Sequence, residues 1–534
     1  MRRCISAMIL FAALMANTLA QPVAEEPLNS GLSASFPDTV SIFLEIPSVD
    51  GTMAAIGSTA LGKLLSVKEM ADLFRNSQGG LRPLAELVGK FSLSHKWGIA
   101  VGVDPTMGVV GMVRVADGSA EVFLKALLAL DPDTAAEVKP IPGVTGIWGL
   151  GEARILVRGS DIFFAGTETA LALFTGPRDK NVPLSVLLRD MGAKTPGGSG
   201  FLLYWDFTRN SLKDFLDPWE YSGADVLGFT SAGSVLWTTS IEAGRAKDQI
   251  CLKPKAGGWK GLLSVIANGT PKQFSERIGK DSLAAFRLSC RPSDAFAQAV
   301  SMLSEERRLA VEKAIAGFNG GTLAGSLDSG YSGNIEGAIH IPRLSVIPHA
   351  VLSLETRDVE KAKLSFDFIN MNVLPTFPLS TVAGGLEIHY RSPMTSLSLS
   401  PCCAFMSDAL LFSDTPAYLR SLARTPPSVF SPAEGYLSEA AKPLPVGSCA
   451  GFFIDNRVAL RYVLSVLPLA STQGIQLPFD PALLPSAEEV ESFFGATYGS
   501  IGVSKEAAEI EISGDYPVIL VFVAAWLASI LVSE

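Results

Sequence analysis

Apolar and polar residues fall into short blocks along this chain, and one block shows the pattern compactly. Residues 407–422 read as a polar turn (Ser407, Asp408), an apolar strand (409–412), a second polar turn (Ser413, Asp414) and a helix opened by Pro416. Apolar runs bounded by turn residues predict further strands at 40–46, 98–104, 109–115 and 201–205, with short strands filling 144–165 around a turn at Gly159-Ser160-Asp161. Asp206 ends the 201–205 strand and is placed to cap the helix after it. Leu84, Leu87, Val88 and Phe91 recur at i, i+3, i+4 and i+7, one face of a helix. Asp117 caps a predicted helix with Ala120, Phe123, Leu127 and Leu130 inward. Thr356 caps another with Val359, Ala362, Phe366 and Ile369 inward.

Many of these blocks occur twice. The segment 160–174 echoes 407–421, with three of fifteen positions identical. The second helix face follows the first by 239 residues, the turn–strand–helix block by 247, and the strand ending in Asp455 follows that ending in Asp206 by 249. Gly499-Ser500-Ile501 echoes Gly233-Ser234-Val235 at a longer spacing, as a loop insertion would produce. Strands in runs of two to four with helices between predict an α+β protein of two tandem, similar halves, each a mixed or antiparallel sheet packed with helices. The expected division is a signal peptide (1–20), a polar leader (21–35), a first domain (36–267), a linker (268–280), a second domain (281–515) and an apolar C-terminal helix (516–534).

Composition sharpens this picture. At 534 residues the chain exceeds one ordinary core. Its net charge is −10, and without Arg2 and Arg3 the balance is 41 basic against 53 acidic residues, which argues against nucleic acid as a partner. Charged residues make up 18% and hydrophobic residues 48%, so the chain buries much surface or touches a membrane. The basic Arg2-Arg3, the apolar run 9–15 and the small residues at Thr18-Leu19-Ala20 have the form of a secretory signal, which predicts export to the periplasm, the outer surface or the medium. Five cysteines follow it. They form no C-x-x-C, which leaves them as buried small hydrophobes, with room for one disulfide in an oxidising compartment.

The opening FPDTVSIFLEI (36–46), the LGKLL at 61–65 and the SDALLFSDTPAYLRSLA at 407–423 resemble a group of uncharacterised bacterial exported proteins, classed as a domain of unknown function. The resemblance spans most of the mature chain and implies an exported two-part α+β protein, with no catalytic residues to carry over. The uncharged run 518–532 has two readings. As a membrane anchor it would span roughly 23 Å, short of the ~30 Å core, and no Lys or Arg follows it. As a buried helix of the second half it would match the helix predicted at 259–266, though it lacks a polar face.

No motif carries chemistry. The four histidines are scattered, with no H-E-x-x-H; there is no G-x-S-x-G. Gly279-Lys280-Asp281-Ser282 lacks the first glycine of a phosphate loop, and Trp148-Gly149-Leu150-Gly151 has Arg154 where a dinucleotide fingerprint needs its last glycine. Neither a metal nor a cofactor is expected. The carboxylates placed alike in both halves are Asp206 with Asp455 and Asp161 with Asp408. Acid–base work by such a pair is one reading; capping and turn bonding is the other. Tyr204, Trp205, Asp206, Phe453 and Asp455 are the candidates for lining a ligand groove, against their reading as sheet core. The expectation is a non-enzymatic binding or scaffolding protein of the cell envelope whose partner is a protein or an apolar ligand, with membrane contact through the C-terminal segment. The alternatives are a carrier of an apolar ligand such as a lipid and a hydrolase using paired carboxylates.

Overall fold

The computed structural model describes residues 31–67, 97–116, 120–128, 138–141, 146–176, 183–192, 200–211, 213, 218–266, 282–319, 321–341, 348–373, 376–383, 386–392, 399–424, 444–472 and 485–518. The predicted helix face at 84–91, the cap at Asp117 and all of 518–532 but Val518 lie outside them. The fold is α+β, with helices on both faces of a large antiparallel sheet.

In the first half the strands are β1 (Ile42–Ile46), β2 (Trp97–Asp104), β3 (Gly108–Val115), β4 (Lys139–Pro140), β5 (Ile147–Leu150), β6 (Ala153–Arg158), β7 (Asp161–Ala165), β8 (Gly200–Asp206), β9 (Ala232–Glu242) and β10 (Arg245–Pro254). In the second half they are β11 (Ser282–Ser289), β12 (Tyr331–His340), β13 (His349–Thr356), β14 (Leu379–Ala383), β15 (Leu386–Tyr390), β16 (Cys402–Phe405), β17 (Ala409–Ser413), β18 (Ser448–Asp455), β19 (Ala496–Val503) and β20 (Ala508–Gly514). Every pairing is antiparallel, and neighbour follows neighbour as β4-β5-β6-β7-β3-β2-β1-β8-β9-β10-β20-β19-β18-β11-β12-β13-β17-β16-β15-β14. The sheet is therefore continuous through β10 and β20, where Ile250 meets Ile510. In β20, Glu509 and Glu511 alternate with Ile510 and Ile512, the period-2 pattern of a half-buried strand.

The helices that cover the first half include α1 (Val49–Ser58), α2 (Ala60–Ser66), α3 (Ala120–Leu128), α4 (Glu168–Thr175), α5 (Leu184–Asp190), α6 (Pro218–Leu227) and α7 (Gly261–Val265). In the second half they include α8 (Pro292–Ser301), α9 (Glu305–Ile315), α10 (Leu323–Gly330), α11 (Val359–Phe368), α12 (Pro416–Arg424), α13 (Asn456–Thr472) and α14 (Ala487–Glu491). Phe43, Met112, Phe163 and Tyr204 pack under α4 and α5 on one face of the first half. Ile46, Val113, Ile162 and Phe201 pack under α1 and α3 on the other. Each large side chain removed from water contributes roughly 1.5–3 kcal/mol. A further cluster joins Val235 and Leu252 of the first half to Cys449, Ala450 and Ala508 of the second, so the core also crosses the join.

Buried polar groups pin the sheet where β10 meets β20. Asp248, 1% exposed, accepts from Trp237 Nε1 (2.9 Å), Thr239 Oγ1 (2.5 Å) and the Val518 amide (3.0 Å). Asp515 accepts from Asn456 Nδ2 at 2.9 Å and the Gly495 amide at 2.6 Å, and its own carbonyl accepts from the Ala60 amide at 3.0 Å. The last described residues are thereby tied to both halves. Among the described residues, no helix is long and apolar enough to cross a membrane.

Three local expectations shift. Thr356 is the last residue of β13, and the cap of α11 is Asp358, whose carboxylate accepts from the Lys361 amide at 3.2 Å. Asp161 opens β7 opposite Arg158 and forms a two-pronged pair with Arg114 (2.8 and 3.1 Å), whereas Asp408 lies in the corner between β16 and β17. The two aspartates therefore do different work. Asp206 caps a turn at 206–210, not a helix, accepting from the Thr208 amide at 2.9 Å. Cys251, Cys290, Cys402, Cys403 and Cys449 are free thiols, and all but Cys251 are buried.

Candidate functional site

The five residues read from the sequence as groove candidates occupy core and capping positions. Tyr204 is 3% exposed and Phe453 1% exposed, in separate clusters. Burial, with the charge of Asp206 adding to it, pushes the Tyr204 hydroxyl up to about 12, so it stays protonated. Trp205 packs against Phe207 with ring centroids 5.2 Å apart. Asp455 accepts from the amides of Arg457 (3.0 Å) and Val458 (3.2 Å) at the start of α13. Strands β9, β10, β20 and β19 separate Asp206 on β8 from Asp455 on β18, five spacings or roughly 24 Å along the sheet. The two carboxylates share no cleft.

A pocket of about 290 Å³ lies elsewhere, between the sheet and the helices α8, α10 and α11. Its sheet side is Ile335, Leu354, Leu410 and Phe412; its helix side is Phe296, Leu327, Phe366 and Ile369. Phe377 closes it, 6.5 Å from Phe366 and 6.0 Å from Phe412 between ring centroids. Asn370 holds that closing segment: its carbonyl oxygen accepts from the Thr376 and Phe377 amides (3.2 and 3.0 Å), and its Nδ2 donates to the Phe377 carbonyl at 3.1 Å.

The pocket owes its shape to an irregularity in β12. Tyr331 pairs with Thr356 and Ile335 with Leu354, so β12 spends four residues where β13 spends two. The extra residues are a bulge, which bends a strand and re-aims its side chains. Gly333 within it has φ +88°, and a Cβ there would lie 2.1 Å from the Cys290 carbonyl oxygen, so only glycine fits. The flanking Ser332 hydroxyl and Asn334 Nδ2 both donate to Glu355 Oε2, at 2.6 and 2.5 Å. Asn334 and Glu355 form one polar corner, Asn370 and Thr376 lie by the closing segment, and the rest of the lining is largely apolar.

Burial keeps the thiol and the phenol that line the pocket in their protonated forms. Burial, reinforced by Asp294, pushes the Cys290 thiol up to about 11, which keeps it a poor nucleophile. Burial likewise raises the Tyr331 hydroxyl, which donates to the Ala362 carbonyl at 3.2 Å. No group of three or more metal-ligating side chains occurs among the described residues. Sequence reasoning did not find this pocket, because its phenylalanines run from 296 to 412 and meet only through strand order. The one local signal was Ser332-Gly333-Asn334, three turn-forming residues inside an apolar strand pattern.

No family model and no curated protein matches the chain. A solved structure, "Structure of crystal form III of TP0453", is similar at 9% identity over 43% of this chain and 80% of that one, with a TM-score of 0.25. A likeness that distant carries no argument about fold or function.

Proposed function

We propose that this chain is an exported, non-enzymatic binding protein of the cell envelope that holds a small apolar ligand, or one chain of a larger one, beneath α8, α10 and α11. The observation that carries the reading is the pocket itself: concave, aromatic-rich and apolar, with one polar corner at Glu355, the usual composition of a small-molecule site. Its 290 Å³ stands at the lower end of the roughly 300–1,000 Å³ typical of such sites, which suits one chain or ring and not a two-chain lipid. The leader-like residues 1–20 support export.

We read the two halves as copies of one unit. The first ten strands run 4-5-6-7-3-2-1-8-9-10 across the sheet, and the second ten run 14-15-16-17-13-12-11-18-19-20, the same order with ten added to each. On this reading Trp97, opposite Val115, corresponds to Tyr331, opposite Thr356. One residue, Gly98, separates Trp97 from Ile99, where three separate Tyr331 from Ile335. In the first copy Trp97 and Phe123, 5.2 Å apart, fill the space beneath the helices. In the second copy the bulge opens it, so binding belongs to one copy and the other is filled core.

The test uses the full chain taken from an envelope extract in mild detergent. Native mass spectrometry is expected to show a co-purifying apolar molecule, and the neutral dye N-phenyl-1-naphthylamine is expected to brighten on binding. Leu354→Trp, which fills the pocket, should abolish both. Wild-type protein that carries no adduct and takes up no dye would sink the reading.

A further inference from the structure

Resting on the reading above, we infer that the ligand is a single-chain amphiphile lying across two cavities, with Phe296 the gate between them. The second cavity, about 340 Å³, lies between α8, α9 and α10. Phe296 lines both cavities. The helices α8 and α10 run past both, presenting Ala295 and Leu327 to the sheet-side cavity, and Ala297 and Leu323 to the outer one.

The two cavities differ in chemistry along one line. The sheet-side cavity is largely apolar, its polar residues being Asn334, Glu355, Asn370 and Thr376. The outer cavity carries Ser293, Ser301, Arg308 and Glu312, the last two 3.8 Å apart as an exposed ion pair. An apolar inner end followed by a charged outer end is the profile of a chain with a polar head. Size points the same way: 290 and 340 Å³ make about 630 Å³, well inside the range of ordinary ligand sites, where the inner cavity alone stands at its edge.

The gate sits on a helix that buries none of its residues fully. No residue of α8 is buried, and of α9 only Val311 is. Met302 and Leu309, at 44% and 57% exposure, leave apolar surface beside the outer cavity. The start of α8 is fastened by Asp328, which accepts from Arg291 Nε (2.8 Å), the Ser293 amide (3.0 Å) and the Ser293 hydroxyl (2.9 Å). Phe296 lies one turn beyond that clasp.

The experiment is displacement of N-phenyl-1-naphthylamine by n-alkanols of four to fourteen carbons from wild type, Phe296→Ala and Ala297→Trp. In wild type, affinity should rise by about fourfold per methylene through the long members, because the chain passes the gate. Ala297→Trp, which fills space only in the outer cavity, should still bind the dye and the short alkanols, which occupy the inner cavity, and should lose at least tenfold on those of ten carbons or more. Phe296→Ala should keep or improve the long-chain affinities. Dye binding shows that each variant is folded. Length profiles that are the same in all three proteins would overturn the two-cavity inference and leave the apolar pocket standing. Failure of wild type to bind the dye or any alkanol would overturn both.

Discussion

Gln249 Nε2 donates to Glu511 Oε1 at 3.1 Å, directly across the strand pair β10–β20 through which the two halves of the sheet join. Lys247 Nζ lies 3.9 Å from the same oxygen. The pair is exposed, so its net worth is modest, but its position opposes two strands that have no turn between them. Gln249→Glu would set like charges directly opposite each other and should cost up to about 1 kcal/mol. Gln249→Lys should be neutral or gain a few tenths. Urea midpoints at low ionic strength check this, and the Gln249→Glu loss should shrink in 0.5 M salt.

Glu45 is the second test, because it is a buried acid on the central strand β1. It is 2% exposed, opposite Ala100 and Leu202. Burial pushes its carboxyl from 4.5 up to about 7, against the N–H groups of Ser33 and Leu32, the Ser33 hydroxyl and the Arg114 charge, which all favour ionisation. Between those two pH values the folded chain holds a proton that the unfolded chain has lost. Stability from this group is therefore full below pH 4.5, falls as pH rises towards 7, and is flat above, a total of about 3 kcal/mol. Glu45→Gln removes that slope and should be the more stable protein at pH 8 by roughly 2–3 kcal/mol. Unfolding curves of the two proteins from pH 5 to 8 check it; parallel pH dependence would be the contrary result.

The aspartates that end β8 and β18 separate capping from ligand binding. Asp455 is 1% exposed and bonds two amides of α13, so Asp455→Ala should cost about 1–2 kcal/mol. Asp206 bonds the exposed Thr208 amide, so Asp206→Ala should cost about 0.5–1 kcal/mol. Neither change should alter the affinity for N-phenyl-1-naphthylamine. Loss of dye binding in either variant would return these residues to the ligand site.

What was legible in the sequence is what depends on neighbours along the chain. Apolar runs bounded by turn residues placed strands at 98–104 and 109–115, observed as β2 and β3, and apolar spacing placed the inward Ala120, Phe123, Ala362 and Phe366. A Pro416 opening of α12 held as well, with Thr415 Oγ1 accepting from the Tyr418 amide at 3.3 Å. Caps were legible only to within a residue or two, since Thr356 and Asp358 carry equally good capping side chains and the backbone decides. The join was not legible at all. Ile250 and Ile510 are 260 residues apart, and an apolar strand advertises that it will pair but not with which edge. Glu45 hid for a related reason: in the alternation of 40–46 it reads as an outward polar position, and only the cover over that face makes it internal.

Gly333 tests whether the bulge that opens the pocket depends on close backbone approach. Its φ is +88°, and a Cβ would meet the Cys290 carbonyl oxygen at 2.1 Å, in a segment that also carries the Cys290 amide bond to the Gly333 carbonyl at 3.0 Å. An L-residue there pays roughly 1–2 kcal/mol for the left-handed backbone alone. It must also push β11 from β12, because the obstructing atom is backbone and cannot rotate away. Gly108 is the control: its φ is +72°, and nothing lies within 4 Å of where a Cβ would stand. Gly108→Ala should therefore cost only the backbone strain and leave dye binding intact. Gly333→Ala should cost clearly more and weaken N-phenyl-1-naphthylamine binding as the lining shifts. Equal losses at the two glycines, with binding unchanged, would mean that the left-handed turn and not the approach to Cys290 holds glycine at the bulge.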